Sequence, residues 1–494
     1  MQDKSNDNET AVQYSLGQPP QRIGLFGLPM ATTAVGFVGV MLAAAVMAQG
    51  HAGVGFFVIL PLTAIVAAII TIRPWMGRVL IEAIAMAVQS WMGRKNSSYV
   101  SGGCSRVPGG HHRAPGLLSR VEMAEGVDAS GATFGALIDR PANKVTVLFD
   151  TQLTGQIAMT QHERNQATAE WSRWLAGLSL AGDVDNLAVV VGTRPGTGEM
   201  LSTEARSLVD PEAPAIARQI LSEAAEAMSI GTPEIVAHVA LTLRVDGHVL
   251  RSGGALSQIG NRLPALYQSL SWAGMLASPM TAEEITARVH QFYNPASEAD
   301  FEELAMRQEN HGMAWEDAGP SVAKRLRNCY FHDGVFSQTW EMRDGPRATF
   351  EDTLLQSLIA PHPRVPRKRV CLVYRPYEAG QGASRVEKEH TDALVGVNNS
   401  HSVRSARAEL RLEHTDAARR AQAKGAQLGR YSLFVTATSS DREKLEKISY
   451  EVRHLAAGSS VQLGSMDFQQ DAGFQISLGV GQVPWTKQTT SIRP

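Results

Sequence analysis

Between Arg22 and Arg73 the chain runs for 50 residues without a single Lys, Arg, Asp or Glu. That length accommodates two membrane crossings and a turn, because a helix needs about 20 apolar residues to span the hydrocarbon core. The first candidate span extends from about Leu28 to Gln49 and the second from about Val54 to Ile72, with Gly50, His51 and Gly53 between them. Lipid offers no partner for backbone N–H and C=O groups, so both runs are expected to be helical. Residues 22–74 therefore read as a transmembrane helical hairpin.

The flanks set its orientation. Arg22 precedes the pair, Arg73, Arg78, Arg94 and Lys95 follow it, and the turn carries no Lys or Arg. Positive charge stays on the cytoplasmic side, so both termini are expected in the cytoplasm and the protein in the plasma (inner) membrane with two spans. Leu28, Ile59, Pro61 and Ile72 mark the anchor, with Trp75 and Trp91 as interfacial side chains. A cleaved signal peptide is the competing reading, on the small residues Ala45 and Ala48. The second span that follows at once and the scarcity of basic residues before the first argue against it. Pro61 is expected to bend the second span. Gly36, Gly39, the Ala43–Ala45 run, Ala64 and Ala68 allow close helix approach, within the hairpin or against another membrane subunit.

The rest of the chain is not extreme. Charged residues make up 19%, the formal net charge is −2 and the pI is near 6.7, so no global basic field points to nucleic acid. Cys104, Cys329 and Cys371 lie far apart with no CxxC pair, which fits a reducing compartment and no disulfide framework. Residues 1–21 are polar and expected to be disordered. Residues 75–115 read as a juxtamembrane helix, with Trp75, Val79, Met86 and Trp91 at helical spacing, and a Gly/Ser/Pro/His-rich linker.

Two cytosolic α+β units are expected at 116–295 and 321–485, joined by an acidic linker at 296–320 and followed by a tail at 486–494. In the first, Ala132–Asp139 and Lys144–Asp150 form a hairpin. A helix over 161–178, a strand Leu187–Val191, a helix over 212–228, a strand Ile235–Val245 and helices near 258–275 and 282–292 follow. In the second, Asp333-Gly334 turns a hairpin between Cys329–His332 and Val335–Met342. A helix near 350–359, the strand Val370–Tyr374, helices at 383–396 and 401–427, the strand Tyr431–Thr438, a helix at 441–457 and a strand near 460–464 complete it. Both mid-unit strands end in Arg-Pro (Arg194-Pro195 and Arg375-Pro376), which suggests an internal duplication of a ferredoxin-like unit.

The search for chemistry finds no catalytic, cofactor or metal constellation. The loop from Gly192 to Glu199 lacks the Gly-Lys-Ser/Thr of a phosphate cradle. Cys104, His111 and His112 sit in a linker without the matching pair that a structural zinc needs. Glu413-His414 lacks the partner His of a helical zinc motif, no Gly-x-Ser-x-Gly elbow occurs, and Cys371 lies in an apolar strand as a small core residue. Arg364, Arg367, Lys368 and Arg369 form a basic cluster that fits a partner, a phospholipid leaflet or DNA phosphates, or else marks the solvated entrance of a strand. The charged helix over 401–427 reads as a solvated face with i,i+4 pairs or as a docking face.

Several segments resemble a family of two-span membrane proteins from actinobacterial conjugative, type IV secretion-like gene clusters. They are Gly24–Gly27, Pro115–Leu118, Val191–Gly198, His332–Gly334, Val370–Pro376 and Phe434–Thr438. The resemblance implies membership of a translocation complex beside a VirB/TraC-type secretion ATPase and a small PrgI-like membrane protein. A weaker resemblance runs to the EccE subunit of type VII secretion. The chain departs from the family in the Cys104–His112 linker and in the stretch 391–402. The motifs are structural, so no active site is carried over. The expectation is a non-enzymatic inner-membrane scaffold that docks a motor ATPase and associates with other copies. The alternative is an EccE-like subunit of a protein exporter.

Overall fold

The computed structural model describes residues 11–14, 30–71, 80–92, 98–100, 114–153, 159–198, 203, 207–208, 210, 212–229, 233–346, 349–398 and 406–484. They divide into two compact units, Gly17–Ser97 and a larger one formed by Met1–Leu16 together with Ser98–Pro494.

The smaller unit holds α1 (Met30–Ala48), α2 (Leu60–Thr71) and α3 (Leu80–Met92). A short helix Ala52–Val54 and a π turn Gly55–Ile59 lead directly into α2. The stretch Ala52–Ile69 has a mean hydropathy of 2.4 and is long and apolar enough to cross a membrane; Thr32–Ala48 is apolar but shorter. Helices α1 and α2 approach closely where side chains are small. A Cβ on Gly39 would fall on the Thr63 side chain, and one on Gly55 would meet Met47 and the Ala43 carbonyl. Gly36 faces open space and takes no part. Away from this crossing α1 presents Phe37, Met41 and Leu42 outward, the π turn Phe57, and α2 Leu62 and Ile65. Pro61 supplies no N–H and crowds the preceding turn. The distortion expected from it takes the form of the π turn, with the Thr63 hydroxyl donating to the Ile59 carbonyl at 2.7 Å. Of the anchor residues, Ile59 lies in the π turn, Pro61 at the start of α2, and Trp91 is exposed near the end of α3. Leu28, Ile72 and Trp75 lie outside the described residues.

The larger unit opens with β1 (Ser98–Val100), β2 (Val121–Val127), β3 (Thr133–Asp139) and β4 (Lys144–Leu153). Then come α4 (Gln161–Ala181), β5 (Val184–Pro195), α5 (Ala215–Ser229), β6 (Pro233–Arg244), α6 (Leu263–Trp272) and β7 (Met275–Pro279). A connector carries α7 (Ala282–Tyr293) and α8 (Glu298–Met306). The second half adds β8 (Val322–Arg325), β9 (Tyr330–His332), β10 (Val335–Asp344), α9 (Gln356–Ile359) and β11 (Lys368–Pro376). It ends with α10 (Ala379–Asn398), α11 (Ala406–Ala423), β12 (Gly429–Ser439), α12 (Arg442–Gly458), β13 (Gln462–Ser465) and α13 (Gln470–Ser477).

Local signals explain several boundaries. Thr160 with Glu163 and Thr281 with Glu284 close capping boxes that start α4 and α7, and Gly182 ends α4 with φ of 72°. Asp333 (φ 39°) and Gly334 (φ 83°) occupy the left-handed region that a tight two-residue hairpin requires.

The strands form one antiparallel sheet in the order β1-β8-β9-β10-β12-β11-β5-β6-β4-β3-β2, with β13 added beside β10 and β7 beside β4. Sequence reading separates two cytosolic units; here they share this sheet through β5 and β11, with Val190 opposite Cys371 and Leu187 opposite Tyr374. Each of these apolar strands would otherwise expose an unpaired edge, and pairing them satisfies both. On one face Val189 and Leu372 meet α4, α6, α9 and α12 through Trp174, Leu178, Leu263, Leu358 and Val452. On the other, Val190 and Cys371 meet Tyr293, Trp315, Phe474 and Leu478.

Three expectations about segments are corrected. The acidic stretch 296–320 is more than a linker: it carries α8, and Trp315 is buried with its indole N–H donating to the Val121 carbonyl at 2.9 Å. The residues after α13 do not stay with the second half. Gly479 packs on Val190 and His238, and Gly481 on Thr146 and Thr242, all from the first half. Residues 11–14, expected to be disordered, include Tyr14, whose N–H donates to the Phe350 carbonyl at 2.7 Å and whose carbonyl accepts from Phe350 at 2.8 Å.

Candidate functional site

The basic cluster 364–369 is split by the strand it enters. Lys368 and Arg369 belong to β11, a central strand covered on both faces, so both are buried in spite of their charge. The Lys368 ammonium donates to the Ala360 carbonyl, and burial pushes its pKa down to about 8. The Arg369 guanidinium lies between the rings of Phe292 and Phe474, at 4.3 and 4.8 Å, and donates to Ser477 Oγ at 2.9 Å. Its burial lowers its pKa to about 10. Neither presents charge to a leaflet or a partner, which corrects the reading of the cluster as one contact surface. Arg364 is exposed and donates to Glu451 at 2.7 Å.

Arg367 serves a different purpose. Its guanidinium donates to both Glu298 oxygens, at 2.5 and 2.7 Å, and the Arg194 guanidinium lies 3.5 Å from the same carboxylate. Glu298 is only 5% exposed. Arg194 also donates to Glu234 at 2.9 Å and to Gln291 at 3.1 Å. One carboxylate from the connector thus ties the end of β5 to the approach of β11. At the opposite end of the same strand pair Asp185 accepts from Lys144 at 2.7 Å and lies 3.9 Å from Arg375. Burial acts to raise the Asp185 pKa, but the Lys144 hydrogen bond and charge outweigh it and leave the carboxyl below its usual range. Each of the two Arg-Pro strand ends therefore places its arginine near a buried carboxylate.

Beside the Glu298 clamp a surface recess of 930 Å³ opens between Pro195, Pro295, Pro366 and α12, with Arg364, Arg367, Lys444 and Lys447 among its lining side chains. Sequence reading missed Lys444, Lys447 and Tyr450 because nothing in their spacing separates a cationic wall from an ordinary solvated helix face.

A buried Ser–His contact also occurs: His332 Nε2 lies 2.8 Å from Ser337 Oγ, which is 2.7 Å from Thr438 Oγ1. Both His332 and Ser337 have no solvent exposure. The other ring nitrogen meets the Tyr293 backbone carbonyl at 2.5 Å instead of a carboxylate. Burial lowers the His332 pKa to about 3, which makes it a poor base near neutral pH. The group knits β9, β10 and β12 together. The Gly192–Glu199 loop begins as the end of β5, and its Arg194 is committed to Glu298 and Glu234. Cys329 and Cys371 are free thiols in the interior, and burial raises Cys371 to about 12. Among the described residues no group of three His, Cys, Asp or Glu is placed to hold a metal ion. Cys104, His111 and His112 lie outside them.

No protein-family model matches the sequence, and comparison with curated proteins finds no match.

Proposed function

We propose that the chain is a non-enzymatic scaffold subunit of a conjugative type IV secretion-like DNA transfer complex, held in the inner membrane by its helical pair. The observation that carries this reading is the position of that pair in the chain. An apolar helical unit interrupts a second unit whose parts, Met1–Leu16 and Ser98–Pro494, precede and follow it. The Tyr14–Phe350 backbone pairing ties the early segment to the late one. Two crossings, an even number, suit flanks that belong to one unit, and the flanking Arg and Lys residues favour the cytoplasm for both. The outward Phe, Met, Leu and Ile side chains of α1 and α2 suit a lipid environment.

The soluble unit reads as two ferredoxin-like halves related by duplication. In the first, β4, α4, β5, β6, α6 and β7 come in that order, with α5 between β5 and β6, and the strands align β7-β4-β6-β5. In the second, β10, α9, β11, β12, α12 and β13 come in the same order, with α10 and α11 between β11 and β12, and the strands align β13-β10-β12-β11. The resulting continuous sheet suits docking of a VirB/TraC-type motor ATPase beside a small PrgI-like membrane protein and further copies of the chain.

Reporter fusions test the anchor: green fluorescent protein at either terminus is expected to fluoresce, and alkaline phosphatase at either terminus to stay inactive. An active phosphatase at the carboxy terminus would refute the topology. For the scaffold role, affinity capture of the full chain from detergent-solubilised native membranes is expected to bring down the ATPase, and deletion to abolish plasmid transfer. A deletion that spares transfer but stops protein export would move the reading to the EccE-like alternative.

A further inference from the structure

The recess beside the Glu298 clamp has an unusual lining. Three of its walls are prolines from three separate segments, Pro195, Pro295 and Pro366, and Ile448 and Val335 add to the apolar surface. Proline offers no backbone N–H and a rigid ring, so these walls are preformed and apolar. Around them stand four cations in two classes. Arg364 is neutralised by Glu451 and Arg367 by Glu298. Lys444 and Lys447 lie three residues apart on α12, hence on one face, and neither forms an ion pair among the described residues. Tyr450 stands 66% exposed beside them.

We propose that this recess binds an acidic peptide segment of a partner protein, one that carries an apolar or aromatic anchor side chain. The two unpaired lysines attract the carboxylates, and the proline-walled floor takes the anchor. A single-stranded nucleic acid fits less well, because such sites stack successive bases on several aromatic rings and Tyr450 is the one aromatic side chain lining this recess. A small inorganic anion would leave the apolar floor unused. The site stands on its own geometry and does not require the secretion reading.

The test uses the purified full chain in detergent and a fluorescein-labelled peptide of glutamates flanking a Trp-Leu pair. Oligo-dT and phosphatidylglycerol vesicles serve as competing probes. The peptide is expected to bind saturably and more weakly as salt rises. Lys444→Glu with Lys447→Glu is expected to weaken it by about tenfold or more. Ala296→Trp, at an exposed position in the lining, fills the recess without changing charge and is expected to weaken the same peptide; it also carries the test if the charge reversal fails to fold. Undiminished peptide binding by both variants would overturn the proposal. So would a chain that ignores the peptide and binds oligo-dT or vesicles through Lys444 and Lys447.

Discussion

Replacing Glu298 by Gln is expected to cost about 3–5 kcal/mol of stability, the range for removing one partner of a buried ion pair. The reason lies in what remains. Glu298 holds Arg367 through both oxygens and Arg194 through one, so two guanidiniums converge on it just beyond the Thr193–Lys368 end of the β5–β11 register. Without the carboxylate, two like charges stand at the seam with little water to solvate them. Arg194 keeps Glu234, whereas Glu298 is the one acidic partner of Arg367 among the described residues. Urea unfolding of the purified full chain in mild detergent measures the loss as a lowered midpoint. Arg364→Gln is the matched control, because the Arg364 guanidinium is exposed to solvent, and its midpoint is expected to stay at the wild-type value. If Glu298→Gln and Arg364→Gln behave alike, the clamp does not hold the seam.

That clamp marks where sequence reading stops. Periodicity and turn chemistry are local, so the β3–β4 and β9–β10 hairpins, α4, α12 and the Asp333-Gly334 turn are legible to within a few residues. The β5–β11 pairing joins residues far apart in the chain, and no spacing rule announces it; an apolar strand reads the same at an edge or at a centre. The same blindness hides Lys368 and Arg369, since a central strand buries whatever side chains it carries. Helix α13 escapes for a related reason. Its Gln and Ser residues look solvent-facing, yet Gln470 Oε1 accepts from the Thr339 N–H at 2.7 Å. Gln475 likewise accepts from the Leu117 N–H at 2.7 Å and donates to the Pro115 carbonyl at 2.8 Å. Side-chain amides there satisfy backbone groups of β10 and of the turn around Pro115–Leu117. Glu298, placed in an acidic run, resembles its solvated neighbours until the two arginines are brought to it.

Acidification from pH 7 to pH 5 is expected to remove about 4 kcal/mol of stability through two histidines, His238 and His332. Both are fully enclosed: His238 Nε2 lies 3.0 Å from the Leu478 carbonyl, and His332 bridges Tyr293 and Ser337. Burial lowers each pKa from the ordinary 6.5 to about 3, with Arg288 adding to the shift at His238 and Arg369 at His332. The sign follows from proton uptake. Above pH 6.5 the rings are neutral in folded and unfolded chain alike, so stability does not depend on them. Between about 6.5 and 3 only the unfolded chain takes the protons, so each unit of falling pH favours unfolding by about 1.4 kcal/mol per ring. At pH 5 that amounts to about 2 kcal/mol for each. His290, whose pKa burial also lowers, contributes in the same direction. Asp185, with its lowered pKa, adds a loss only further down, as pH falls below the ordinary carboxylate value towards its folded one. Asp471, which burial raises, opposes that later loss by taking its proton first in the folded chain. Denaturant midpoints at pH 7, 6 and 5 read the effect. His238→Gln is expected to remove about half of the pH-dependent loss, whatever it does to stability at pH 7. A flat profile from pH 7 to 5, or an unchanged slope in His238→Gln, would mean that these rings are hydrated and take protons in the folded chain.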